Sequence, residues 1–87
     1  MKKFTYTIQD ELGLHARPAG VLAKESKKFQ SAITLTNTNT GKNADAKRIM
    51  GIMGLCAVHG TSIELTFEGE DEDAAFLHIS SCLKENL

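Results

Sequence analysis

The chain is short of cysteine, short of proline and almost without net charge. Its two cysteines, Cys56 and Cys82, have no metal-like spacing, so no metal site is expected. They read as small buried hydrophobes in a reducing, cytoplasmic setting. No unbroken apolar stretch approaches the length of a membrane span, and no membrane insertion is expected. The opening Met1-Lys2-Lys3-Phe4-Thr5-Tyr6 alternates apolar and polar residues, unlike a signal peptide. A formal net charge of −1 argues against nucleic-acid binding. Repeats, linkers and low-complexity tracts are missing too. What remains is one domain over residues 1–87, with a single thin core.

Hydrophobic spacing divides the chain into seven elements. Phe4, Tyr6 and Ile8 alternate with threonines and predict a strand. Asp10-Glu11-Leu12-Gly13 forms a polar turn. Ala19, Leu22, Ala23, Ser26 and Phe29 recur at helical spacing and predict a helix over about 16–28. The only proline, Pro18, suits its first turn, where the missing N–H loses no intrahelical bond. Ile33 and Leu35 lie in a second strand. The turn-rich segment Asn37–Asn43 leads to a third near 43–46, and a short helix runs over about 47–55. Ile63, Leu65 and Phe67 define the last strand. Asp71 is the expected N-cap of a final helix over about 72–86, with Ala75, Phe76, Ile79, Cys82 and Leu83 facing inward. The order β-α-β-β-α-β-α predicts an α+β open-faced sandwich: a four-stranded antiparallel sheet covered on one face by three helices.

The chemistry concentrates in Gly13-Leu14-His15-Ala16-Arg17-Pro18-Ala19. His15 stands at the doorstep of the first helix, where backbone N–H groups are unpaired and the helix dipole is positive. Such a place holds anions. Histidine is substantially neutral and nucleophilic near neutral pH, so it can accept a phosphoryl group. The N–H groups of Ala16 and Arg17 are expected to bind the phosphate oxygens, and the Arg17 guanidinium adds forked, charge-assisted bonds. Transfer of this kind needs positioning and electrostatics more than covalent machinery. His59, in a turn, and His78, on the outer face of the last helix, lack this setting and read as solvated surface residues.

Arg17, Gly20, Lys24 and Lys27 share one helix face by their spacing. Gly20 leaves room for another backbone to approach. Ile49-Met50-Gly51-Ile52-Met53-Gly54-Leu55 is apolar on every side. Ile52 and Leu55 can turn inward, but Ile49, Met50 and Met53 cannot all follow on so short a helix. An apolar patch rimmed by lysines suits protein docking better than ligand enclosure.

These residues, with Ala44-Asp45-Ala46-Lys47 and Glu68-Gly69-Glu70-Asp71-Glu72, closely resemble the histidine-containing phosphocarrier HPr of the bacterial sugar phosphotransferase system. The resemblance spans essentially the whole chain and implies the same open-faced sandwich. It implies that phospho-enzyme I phosphorylates His15 at Nδ1 and that enzyme IIA receives the group. It matches Arg17 to the phosphate-stabilising residue. It places Gly20, Lys24, Lys27, Ile49, Met50 and Met53 on the docking face. A relay of this kind is a monomer without cofactor that needs partner enzymes for turnover. One departure stands out: Arg48 occupies the place of the family's regulatory serine and has no hydroxyl for HPr kinase to phosphorylate. That puts the co-repressor role of Gram-positive relatives in doubt. A purely regulatory binding module is the alternative, but paralogues used only for regulation can lose the histidine that this chain keeps. A stand-alone hydrolase fits poorly, because no acid–base pair or metal cluster is evident around His15.

Overall fold

The computed structural model describes residues 1–87. The elements are β1 (Lys2–Thr7), α1 (Ala16–Ser26), β2 (Ala32–Asn37), β3 (Asn43–Asp45), α2 (Ile49–Met53), β4 (Ser62–Glu68) and α3 (Glu72–Asn86). All strand pairs are antiparallel, and the sheet order is β1-β4-β2-β3. β4 therefore sits between β1 and β2, which run in the same direction. The register places Phe4 beside Leu65 and Leu65 beside Leu35.

Period-two alternation gives the sheet two unlike faces. Ile33, Leu35, Ile63, Leu65 and Phe67 are at most 1% exposed and meet the helices. Burying one such side chain contributes about 1.5–3 kcal/mol, so this layer dominates the stability of a small fold. From the helices it is met by Ala19, Leu22 and Ala23 of α1, Ile52 of α2, and Ala75, Ile79 and Leu83 of α3. Phe76 is half-buried, packing edge-on against Phe4 and Phe67. The other face carries Lys3, Thr5, Glu64, Thr66, Thr34 and Thr36 in register and stays open to water. The architecture is the open-faced sandwich expected from the element order.

Four local expectations are corrected. The two shorter helices are trimmed: α1 ends at Ser26, and Lys47 and Arg48 stay outside α2. Asp71 precedes α3, but its side chain makes no capping bond. It crosses instead to the segment after α1, where it accepts hydrogen bonds from the N–H groups of Gln30 and Ser31 (both 2.9 Å) and from the Ser31 hydroxyl. Cys82 is buried, but Cys56 is exposed. It has a left-handed backbone (φ 52°) just after α2, and its neighbours Leu55 and Ala57 take the inward places. His78 is exposed yet not merely solvated. It hydrogen-bonds Glu25 of α1 and lies 5.6 Å, ring to ring, from Phe29. His78 and then Lys28 hold the Glu25 carboxyl below its ordinary range.

The Asp71 brace makes a pH test possible. Hydrogen bonds from Ser31 and Gln30 hold its carboxyl below the usual carboxylate value. Its contribution is therefore complete above about pH 4 and is lost as pH falls through the lowered folded value. Urea unfolding at pH 7 and pH 3 is expected to show a smaller acid loss for Asp71→Asn than for the parent chain, from a lower starting stability. Equal acid losses would contradict the brace.

Candidate functional site

The site begins with a glycine that no other residue replaces easily. Gly13 has φ 68°, and a Cβ there would lie 2.5 Å from the Ala57 carbonyl oxygen and 2.7 Å from Val58 Cα. The adjacent Leu14 N–H donates to that same carbonyl at 2.8 Å, and the Leu14 side chain is buried. This seam pins the segment before α1 against the turn after α2. The next residue, His15, becomes the N-cap, with extended backbone (φ −87°, ψ −178°).

The His15 carbonyl accepts the Ala19 N–H at 3.1 Å and so opens the helix. Pro18 has no N–H. The N–H groups of Ala16 and Arg17 are left without a backbone acceptor, and the His15 side chain does not cap them. Ser, Thr, Asn or Asp would ordinarily fill this role. Here the helix tip keeps two donors free beside an imidazole that is 32% exposed. No acidic residue lies in the first turn to neutralise the positive end of the dipole.

A cleft of about 370 Å³ opens beside the ring, lined by Asp10, Leu12, His15, Arg17, Pro18, Glu85 and Asn86. Arg17 is exposed and forms no ion pair with any carboxylate, so its guanidinium is free for an anion. Asp10, Glu85 and Asn86 were not singled out in the sequence. Asp10 read as part of a polar turn, and nothing local tells that the end of α3 returns to this cleft. The link is made by the main-chain oxygen of Leu87, which accepts the N–H groups of Gln9 (2.6 Å) and Asp10 (2.7 Å). Asp10 Oδ2 lies 3.7 Å from His15 Nε2.

The remaining candidates form a neighbouring surface, where α1 packs against α2. Lys24 and Lys27 are exposed and unpaired, whereas Lys28 is tied to Glu25 at 3.0 Å. A Cβ on Gly20 would meet nothing within 4 Å, so the space above it is open. Ile49, Met50 and Met53 are 42%, 81% and 38% exposed, while Ile52 and Leu55 are buried. Lys27, Lys47, Arg48, Ile49 and Met50 border a shallow groove, with Asp45 its only acid. Arg48 is the N-cap of α2 and gives it no side-chain bond. His59 is exposed, in the turn that follows α2.

A family model described as the PTS HPr component phosphorylation site matches residues 2–85. The chain belongs to the HPr family. It is 40% identical to the phosphocarrier protein HPr of Mycoplasma genitalium over 86 residues, covering 99% of this chain and 97% of that protein. Among solved structures, a mycoplasma histidine-containing phosphocarrier protein superposes with a TM-score of 0.91 at 40% identity, covering 97% of this chain and 93% of that one. An HPr dimer from Thermoanaerobacter tengcongensis is similar at TM-score 0.75 and 36% identity, covering 98% and 95%. The free helix tip thus lies in a member of the HPr phosphocarrier family.

The Gly13 seam predicts a local weakness. Gly13→Ala forces a side chain into left-handed backbone and against two backbone atoms. It is expected to destabilise this HPr by about 1–3 kcal/mol, read as a fall in the urea midpoint. A loss below about 0.5 kcal/mol, the ordinary surface range, would show that the seam yields.

Proposed function

We propose that His15 accepts a phosphoryl group at Nδ1 from phospho-enzyme I and passes it to enzyme IIA of a sugar phosphotransferase system. One observation carries this reading: the partly exposed His15 stands at the N-cap of a helix whose first two amides, Ala16 and Arg17, have no protein acceptor. A dianionic phosphoryl group on the ring meets those donors, the helix dipole and the Arg17 guanidinium together. The groups are in place before transfer, so little rearrangement is needed at the reacting moment. In this reading the chain acts as a carrier whose turnover belongs to its partners, working in the cytoplasm as a monomer.

The partners dock, in this reading, over Gly20, Lys24, Lys27, Ile49, Met50 and Met53. The exposed methionines adapt to more than one surface, which suits a relay that must meet a donor and an acceptor in turn. The unpaired lysines favour acidic partners and speed their encounter at low salt. Arg48 extends the same positive rim. In this place a seryl phosphate would set negative charge against an acidic partner; an arginine keeps the rim positive at all times.

Incubation with enzyme I, phosphoenolpyruvate and magnesium is expected to give an acid-labile, base-stable adduct on the parent chain and none on His15→Ala. An unlabelled parent, or equal labelling of the variant, would remove the carrier reading. Arg17→Lys keeps the charge but loses the fork, and transfer is expected to slow about tenfold, equivalent to about 1.4 kcal/mol. Unchanged transfer would assign the phosphate to the backbone donors alone. HPr kinase with ATP is expected to leave the parent chain unmodified and to phosphorylate Arg48→Ser. Modification of the parent on a neighbouring hydroxyl would overturn the lost control.

A further inference from the structure

We propose that Asp10 is a positioning residue for His15: its carboxylate holds the imidazole proton on Nε2 and so leaves Nδ1 as the nucleophilic nitrogen. The proposal rests on His15 being the phosphoryl acceptor, and it deepens that reading by naming what selects the reacting atom.

Asp10 is fixed from several directions. Its N–H donates to the main-chain oxygen of Leu87 at 2.7 Å, and its own carbonyl accepts the Gly13 N–H at 3.0 Å. Its Oδ1 accepts the Leu12 N–H at 2.8 Å, closing an Asx turn. The second oxygen, Oδ2, accepts no hydrogen bond within the chain and lies 3.7 Å from His15 Nε2. The two oxygens are thus divided, one spent on the turn and one facing the ring. The other charged groups of the cleft are Arg17 and Glu85, and neither forms an ion pair with His15. Asp10 and His15 are each about one-third exposed, so the field between them is only partly screened.

A carboxylate beside one ring nitrogen favours a proton on that nitrogen. The opposite tautomer would set the Nε2 lone pair against the Oδ2 lone pairs. A phosphoryl dianion on Nε2 would likewise face a carboxylate. With the proton on Nε2, the Nδ1 lone pair attacks phosphorus. The new N–P bond forms as the donor's bond to phosphorus breaks, and that electron pair departs with the donor. The ring becomes a phosphoimidazolium whose positive charge faces Asp10. On onward transfer the N–P bond breaks, its pair returns to Nδ1, and the ring is neutral again with the same proton on Nε2. No proton has to move in either direction.

Asp10→Asn tests this sharply, because the amide oxygen can keep the turn with Leu12. Its NH₂ then faces Nε2 and donates to it, which places the ring proton on Nδ1 and blocks the nucleophile. Asp10→Ser keeps a turn-forming oxygen and presents no group to Nε2. Long-range ¹H–¹⁵N couplings of the His15 ring, recorded in mildly alkaline solution, separate the two tautomers. The expected result is Nε2–H in the parent chain, a shift toward Nδ1–H in Asp10→Asn, and an intermediate position in Asp10→Ser. Phosphoryl acceptance from phospho-enzyme I is expected to fall about ten- to a hundredfold in Asp10→Asn and by only a few-fold in Asp10→Ser. An unchanged tautomer in Asp10→Asn, or acceptance within twofold of the parent, would overturn the role of Asp10. The couplings decide this without any transfer taking place, whereas a parent chain that takes no phosphoryl group would sink the carrier reading instead.

Discussion

Two backbone amides with no partner, at the tip of a helix whose cap is an imidazole, are the feature on which the rest of this structure turns. Most N-caps satisfy such donors with a short polar side chain. Here the cap is His15, which leaves Ala16 and Arg17 unsatisfied within the chain. The cost is small while water covers the tip. With the proposed phosphoryl group on the ring, the same donors would serve as preset ligands in the positive field of α1. A fold of this size need not supply a deep pocket to hold a phosphoryl group. It needs only to keep one helix end open and one arginine free.

The remaining architecture keeps that end in place. The Gly13 seam fixes the chain before the helix against Ala57 and Val58, at the end of the α2 segment. The main-chain oxygen of Leu87 ties the end of α3 to Gln9 and Asp10, closing the other side of the cleft. Farther away, Asp71 joins the start of α3 to the exit of α1, and the His78–Glu25 pair joins the middle of α3 to the last turn of α1. These polar ties sit at the rim of an apolar layer built by β2 and β4. The proposed docking surface has the opposite design: α2 is one and a half turns long, and its side chains outnumber the places beneath it. Ile52 and Leu55 fill those places, so Met50 is left almost fully in water.

The parts of this molecule governed by local rules were legible in the sequence. Alternation marked β1, β2 and β4, because each has one face on the core. Pro18 marked the first turn of α1, and the crowding of apolar residues in α2 foretold exposed methionines. What escaped depends on chain segments meeting across long separations. Asp71 follows a glycine turn and precedes acids, as a cap would, yet Ser31 lies 40 residues away and offers more donors. His78 looks solvated on its own helix until Glu25, 53 residues distant, is brought beside it. Cys56 has an apolar neighbour on either side, and only its left-handed backbone turns the thiol outward. Asp10 belongs to this class too: in sequence it is one acid of a turn, and in space its carboxylate faces the His15 ring.

The most direct measurement of the central claim is the amide spectrum of the chain before and after phosphorylation of His15. If the helix tip receives the phosphoryl oxygens, the ¹H–¹⁵N signals of Ala16 and Arg17 move strongly downfield and their exchange with solvent slows, while amides in the middle of α1 barely change. If those two signals stay where they were while His15 carries the phosphoryl group, the charge is held elsewhere and the open helix tip is not its binding site.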